Sequence, residues 1–124
     1  MRKVLVVDDS ETIRQQVRLT LTAAGHTVLE AVDGIDGLEK IRVHQDLALV
    51  ISDVNMPRMS GLEMVSELQK LGCRVPILML TTEGQVSLIQ RARAAGAKGW
   101  IVKPFKPEML GTAVSKLMRA PEGG

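Results

Sequence analysis

Residues 47–51 read Leu-Ala-Leu-Val-Ile, and this run ends in Ser52 and a carboxylate, Asp53. A strand-length stretch with no polar residue has no face to turn toward water, so it is buried on both sides. That is the habit of parallel sheets covered by helices. Asn55, Pro57 and Gly61 then punctuate a turn. On its own Asp53 could be an ordinary turn or cap residue, so its meaning depends on what the rest of the chain places beside it.

The same kind of run recurs. Residues 3–7, 76–80 and 99–102 read as further buried strands, while 27–32 alternates Val28 with Glu30 and suits an edge strand. Between them lie segments with helical spacing. Ile13, Val17, Leu21 and Ala24 share one face, with Arg14, Gln15 and Arg18 elsewhere, and Gly25 stops the helix. After the Asp33-Gly34 turn, Ile35, Leu38 and Ile41 form the next stripe. Ser60 and Glu63 have the spacing of a capping box ahead of Leu62, Val65 and Leu68, with Gly72 at the end. Val86, Ile89, Ala92 and Ala95 run up to Gly96; Pro107 opens the last helix, with Leu110, Ala113, Val114 and Leu117 inward. Five strands alternating with five helices predict a (βα)5 α/β fold, a doubly wound parallel sheet in three layers, α/β/α.

Composition narrows the function. At 124 residues the chain has room for one domain, expected over 1–120 with a flexible tail at 121–124 and no output domain. A net charge of +2 and two aromatic residues, Trp100 and Phe105, argue against a nucleic-acid partner. The single cysteine, Cys73, precludes an intrachain disulfide. Apolar runs are strand-sized, and Asp8 and Asp9 cut off the first one. Neither membrane insertion nor a signal peptide is expected, and the location is read as cytoplasmic.

In doubly wound sheets functional residues gather at the carboxyl ends of the strands, near the point where the winding reverses. Those ends deliver Asp8 and Asp9 from the first strand, Asp53 from the third, Thr81 from the fourth and Lys103 from the fifth. Three converging carboxylates repel one another unless cations intervene. Lys103 supplies one positive charge, and a hard divalent cation suits the remainder: Mg²⁺, with Mn²⁺ possible. Its candidate ligands are Asp8, Asp9, Asp53 and a main-chain carbonyl near Asn55. Carboxylate, metal, hydroxyl and ammonium together make a phosphoryl-transfer site, with Asp53 best placed as nucleophile.

Asp8-Asp9, Asp53-Val-Asn-Met-Pro, Thr81 and Lys103-Pro104-Phe105 resemble the receiver domain of two-component response regulators across nearly the whole chain. The match is closest to stand-alone chemotaxis-type, CheY-like receivers. The resemblance implies a flavodoxin-like strand order 2-1-3-4-5. It implies that Asp53 is the phosphoacceptor of a histidine kinase, and that Asp8 and Asp9 hold Mg²⁺ with Asp53 and the Asn55 carbonyl. Thr81 and Lys103 would contact the phosphoryl oxygens, and the Lys103–Pro104 bond would be cis. Asn55 and Glu83 would tune the lifetime of a phosphoryl group that the domain itself hydrolyses. Trp100 stands where receivers usually carry a smaller switching Tyr or Phe. A monomer is implied, docking a downstream protein through its fourth helix, fifth strand and fifth helix. That face carries Arg91, Arg93, Lys98, Lys106, Lys116 and Arg119, and suits an acidic peptide. Two alternatives remain: a pseudo-receiver that works without phosphorylation, and a phosphatase of the haloacid-dehalogenase kind. Adjacent Asp8-Asp9 in place of Asp-x-Asp speaks against the second.

Overall fold

The computed structural model describes residues 2–82 and 87–118. Their order is β1 (Lys3–Val7), α1 (Glu11–Ala23), β2 (Thr27–Ala31), α2 (Gly34–Val43), β3 (Leu49–Asp53), α3 (Gly61–Lys70), β4 (Ile77–Thr81), α4 (Ile89–Ala95), β5 (Gly99–Val102) and α5 (Pro107–Met118). All strand pairs are parallel and the sheet runs β2-β1-β3-β4-β5. Glu30 therefore marks an edge strand, as its alternation suggested.

Period-two geometry explains why the central strands carry no polar face. Leu5, Val7, Val50, Ile77 and Met79 enter one core with Met64, Val65 and Leu68 of α3. Val4, Val6, Leu49, Ile51, Leu78 and Leu80 enter the other, with Val17 and Leu21 of α1 and Leu110 and Val114 of α5. Each alternate residue thus meets a different helical layer.

The helix ends follow their local chemistry. Ser10 caps α1 by accepting from the Ile13 amide, and Asp33 caps α2 by accepting from that of Asp36. At α3 the Ser60 hydroxyl accepts from the Glu63 amide while the Glu63 carboxylate accepts from the Ser60 amide, the reciprocal box read from the sequence.

Four expectations need correction. The third strand runs 49–53 rather than starting at 47: its pairing with β1 opens at Leu49, opposite Val4, and its ladders carry on to Ser52, opposite Val7, and Asp53, opposite Leu80. Likewise β4 extends to Thr81, which pairs with Val102. Ile35 is 43% exposed, and Gly34, Gly37 and Ile41 form the buried face of α2. A β-carbon on Gly37 would lie 2.8 Å from Met64 Sδ and 3.2 Å from Val7, so α2 approaches the sheet through glycine. Ala24 is the exposed cap residue after α1, and Gly25 beyond it takes φ +93°. Val86, Glu83, Arg119 and the tail 121–124 lie outside the described residues. No helix among the described residues is long and apolar enough to cross a membrane.

Candidate functional site

Register assembles the site. Val7 lies opposite Ser52, so one residue further on each strand sets Asp8 beside Asp53. Thr81 lies opposite Val102, and Lys103 follows directly. The winding reverses between β1 and β3, and the acids stand at that crevice, where such folds bind ligands.

Asp8, Asp9 and Asp53 each present a carboxylate oxygen, all within 4.8 Å of one another. Asp8 is fully buried, Asp53 is 6% exposed and Asp9 faces solvent. Lys103 Nζ lies 3.1 Å from Asp53 Oδ1 and 3.5 Å from Asp8 Oδ2. The Ser10 amide donates to Asp8 Oδ1 and the Val54 amide to Asp53 Oδ1, each at 2.9 Å. Asp8 Oδ2 has no hydrogen bond among the described residues. Burial pushes the Asp8 carboxyl up to about 6, with the charges of Asp53 and Asp9 adding to the rise and the Ser10 amide and Lys103 opposing it. Burial also raises Asp53 above the usual carboxylate value, against the hydrogen bond and charge of Lys103. Such an all-oxygen donor set, under-compensated by one ammonium, could hold Mg²⁺ or Mn²⁺.

The other predicted residues take varied positions. Thr81 is buried and its hydroxyl has no hydrogen-bond partner among the described residues. The Lys103–Pro104 peptide is cis. Asn55 is exposed in the loop after β3. Trp100 is 40% exposed on β5, and the Arg93 guanidinium sits 5.3 Å from its ring centre, within cation–π range. Arg91, Arg93, Lys98, Lys106 and Lys116 are exposed. Glu83 falls outside the described residues.

Three supporting residues escaped the sequence reading. Arg14 is turned inward: Nη1 donates to the Asp8 main-chain oxygen at 2.7 Å, and Nε to Glu30 Oε1 at 3.0 Å. Gly61 sits against the end of β3, where a β-carbon would be 2.0 Å from the Asp53 carbonyl oxygen. Ser52 Oγ donates to that same oxygen at 2.9 Å. A lone Glu30 in an aliphatic strand, matched by Arg14 and Arg18 four residues apart, was the available signal for the first.

Fold and site first define a class, the flavodoxin-like α/β proteins with an acid pocket at the switch point. Sequence comparison then narrows it: the pattern of the response regulator receiver domain matches residues 4–115. The chain belongs to the response regulator receiver domain family. It is 43% identical over 111 residues to a chemotaxis protein CheY homolog of Campylobacter jejuni, covering 87% of this chain and 85% of that protein. With chemotaxis protein CheY1 of Helicobacter pylori it shares 41% over 111 residues, 87% of this chain and 90% of the relative. The high-resolution structure of chemotaxis response regulator CheY4 of Vibrio cholerae superposes with a TM-score of 0.87 at 45% identity. That match covers 94% of this chain and 98% of the other.

Proposed function

We propose that this chain is a phosphorylation-driven signalling switch whose acceptor is Asp53. The observation that carries it is the acid pocket itself: three carboxylates within 4.8 Å, one ammonium in contact with two of them, and at the neighbouring strand end a buried Thr81 hydroxyl with no hydrogen-bond partner among the described residues. Family membership supports the same reading.

In the proposed reaction an Asp53 carboxylate oxygen attacks phosphorus while the bond from phosphorus to one ring nitrogen of the kinase histidine breaks; the other ring nitrogen already carries a proton, so neutral imidazole leaves and an aspartyl phosphate remains. Lys103, already beside Asp53 and Asp8, balances charge on the phosphoryl oxygens, and the Thr81 hydroxyl donates a hydrogen bond to one of them. Asp8, Asp9, Asp53 and the Asn55 carbonyl would hold Mg²⁺ or Mn²⁺, which neutralises phosphoryl charge when bound. Hydrolysis of the acyl phosphate by water returns the domain to rest, with Asn55 and Glu83 tuning that step. The output is a downstream protein docked on α4, β5 and α5, where exposed Arg91, Arg93, Lys98, Lys106 and Lys116 suit an acidic partner and Trp100 is the candidate reporter. The domain is proposed to span 1–120 and to act as a monomer in the cytoplasm.

Acetyl phosphate with Mg²⁺ tests this. Intact mass spectrometry is expected to show one phosphoryl adduct on the wild type and none on Asp53→Asn, with a change in Trp100 fluorescence accompanying the adduct. Absence of any adduct at every donor concentration would overturn the reading in favour of a pseudo-receiver. An adduct with unchanged fluorescence would remove Trp100 from the switch.

A further inference from the structure

Beside the acid pocket, Arg58 reaches from the loop after β3 back across to the start of α2. Its Nε lies 2.6 Å from Asp33 Oδ2 and its Nη2 3.1 Å from Asp33 Oδ1, a two-pronged contact that fixes direction as well as distance. Asp33 is only 3% exposed and is itself anchored, because it caps α2 through the Asp36 amide at 2.9 Å. The guanidinium holds the Asp33 carboxyl below its ordinary value.

The backbone at this contact is unusual. Arg58 has φ +65°, the one non-glycine residue in the left-handed region among the described residues. That conformation costs a residue with a β-carbon, yet the residue here is arginine rather than glycine. A second strap lies next to it. The Gly34 amide donates to the Met59 carbonyl at 3.0 Å, and a β-carbon on Gly34 would lie 2.6 Å from Met59 Cγ. At the far end of the loop the Gly61 amide donates to the Val54 carbonyl at 2.7 Å. Asn55 stands between these two anchorages, one residue past Val54, whose own amide is bonded to Asp53.

We propose that Arg58 is a positioning residue for the metal site: its fork on Asp33 holds the loop so that the Asn55 main-chain carbonyl is presented to the carboxylates. The proposal rests on the reading of the pocket as a metal-dependent phosphoacceptor. Arg58 would touch neither metal nor phosphoryl group; it acts by fixing in advance a loop that would otherwise have to be ordered when metal binds.

The test measures Mg²⁺ affinity by calorimetry and the Mn²⁺ site by electron paramagnetic resonance on the full chain. Arg58→Gly is the main variant, since glycine accepts the left-handed backbone and only the tether is lost. Asp33→Asn keeps a capping side chain while removing the charge from the fork. Each single variant is expected to bind Mg²⁺ about tenfold more weakly, with a broadened Mn²⁺ spectrum. The double variant should be no worse than either single, because both remove one contact. Arg58→Lys should recover part of the loss. Wild-type affinity in Arg58→Gly would overturn the proposal. Additive losses in the double variant would overturn it too, as would losses that only track a fall in metal-free urea stability. A wild type that binds neither ion, or forms no Asp53 adduct, would instead overturn the phosphoacceptor reading.

Discussion

Two groups of acids stand at the carboxyl edge of the same sheet, and their charges are balanced in opposite ways. On the flank, Glu30 is bonded by Arg14 and Arg18, and Asp33 is gripped by the Arg58 fork. Arginine hydrogen bonds hold both carboxyls below their usual values. At the switch point Asp8, Asp9 and Asp53 crowd together. Among the described residues Lys103 is the one side-chain cation within ion-pair distance of any of them. Burial there wins, and Asp8 and Asp53 are raised. The chain places arginines where the fold needs neutrality, so the deficit in the pocket is local. A concentrated deficit of positive charge at the crevice is what a site for a cation requires.

The largest effect expected from this contrast is a gain of stability on removing a charge. Asp8 titrates at about 6 in the fold against 3.8 as its ordinary value, so the native state binds the proton more tightly. The stability from this is fully present below about pH 4 and is lost as pH rises through about 6, a change on the order of 3 kcal/mol. Asp8→Asn should therefore raise the metal-free urea stability at pH 7 by up to about 3 kcal/mol, with the gain vanishing near pH 4. Mg²⁺ should stabilise the wild type but not the variant. Glu30 and Asp33 carry the opposite sign: their stability is present above the ordinary carboxylate range and lost on acidification. A chelated wild type whose urea midpoint climbs from pH 4 to pH 7 would break the comparison.

Much of this was legible in the residues, for reasons that also mark the limit. Buried strands lack a polar face, so their number and the residues at their exits could be read directly. Asp8, Asp9, Asp53, Thr81 and Lys103 all lie where that reading puts them. Positions decided by a neighbour could not be read so. Ile35 looks like core in its own helix, but Met64 and Val7 leave room only for Gly37. Arg14 looks like a surface residue on the helical wheel, yet Glu30 and the Asp8 carbonyl draw it inward. Arg58 has no signal at all, since its reach depends on a loop backbone and on Asp33, 25 residues away in sequence.

Arg14 joins the two acid groups physically, which gives the next effect in size. Its side chain is 13% exposed and bonds both Glu30 and the Asp8 backbone. Glutamine lacks the charge and the reach to satisfy both. Arg14→Gln should cost about 2 kcal/mol in urea unfolding. It should also weaken Mg²⁺ binding, because the carbonyl that steadies the Asp8-Asp9 turn loses its donor. Stability lost with Mg²⁺ affinity intact would show that the flank and the pocket are independent.

Arg18 provides the smallest and sharpest test. It lies 2.5 Å from Glu30 Oε2, closer than Arg14 is to Glu30 Oε1, but 41% of its side chain is in water. Distance alone would rank it first. Solvent screening and the entropy of holding a long exposed chain rank it last, at about 0.5 kcal/mol for Arg18→Gln, and molar salt should erase that effect while sparing the Arg14 one. Equal costs for the two substitutions would mean that Glu30 needs both cations. The flank would then differ from the pocket in how many positive charges it holds, whereas the predicted inequality makes burial of a single guanidinium the deciding term.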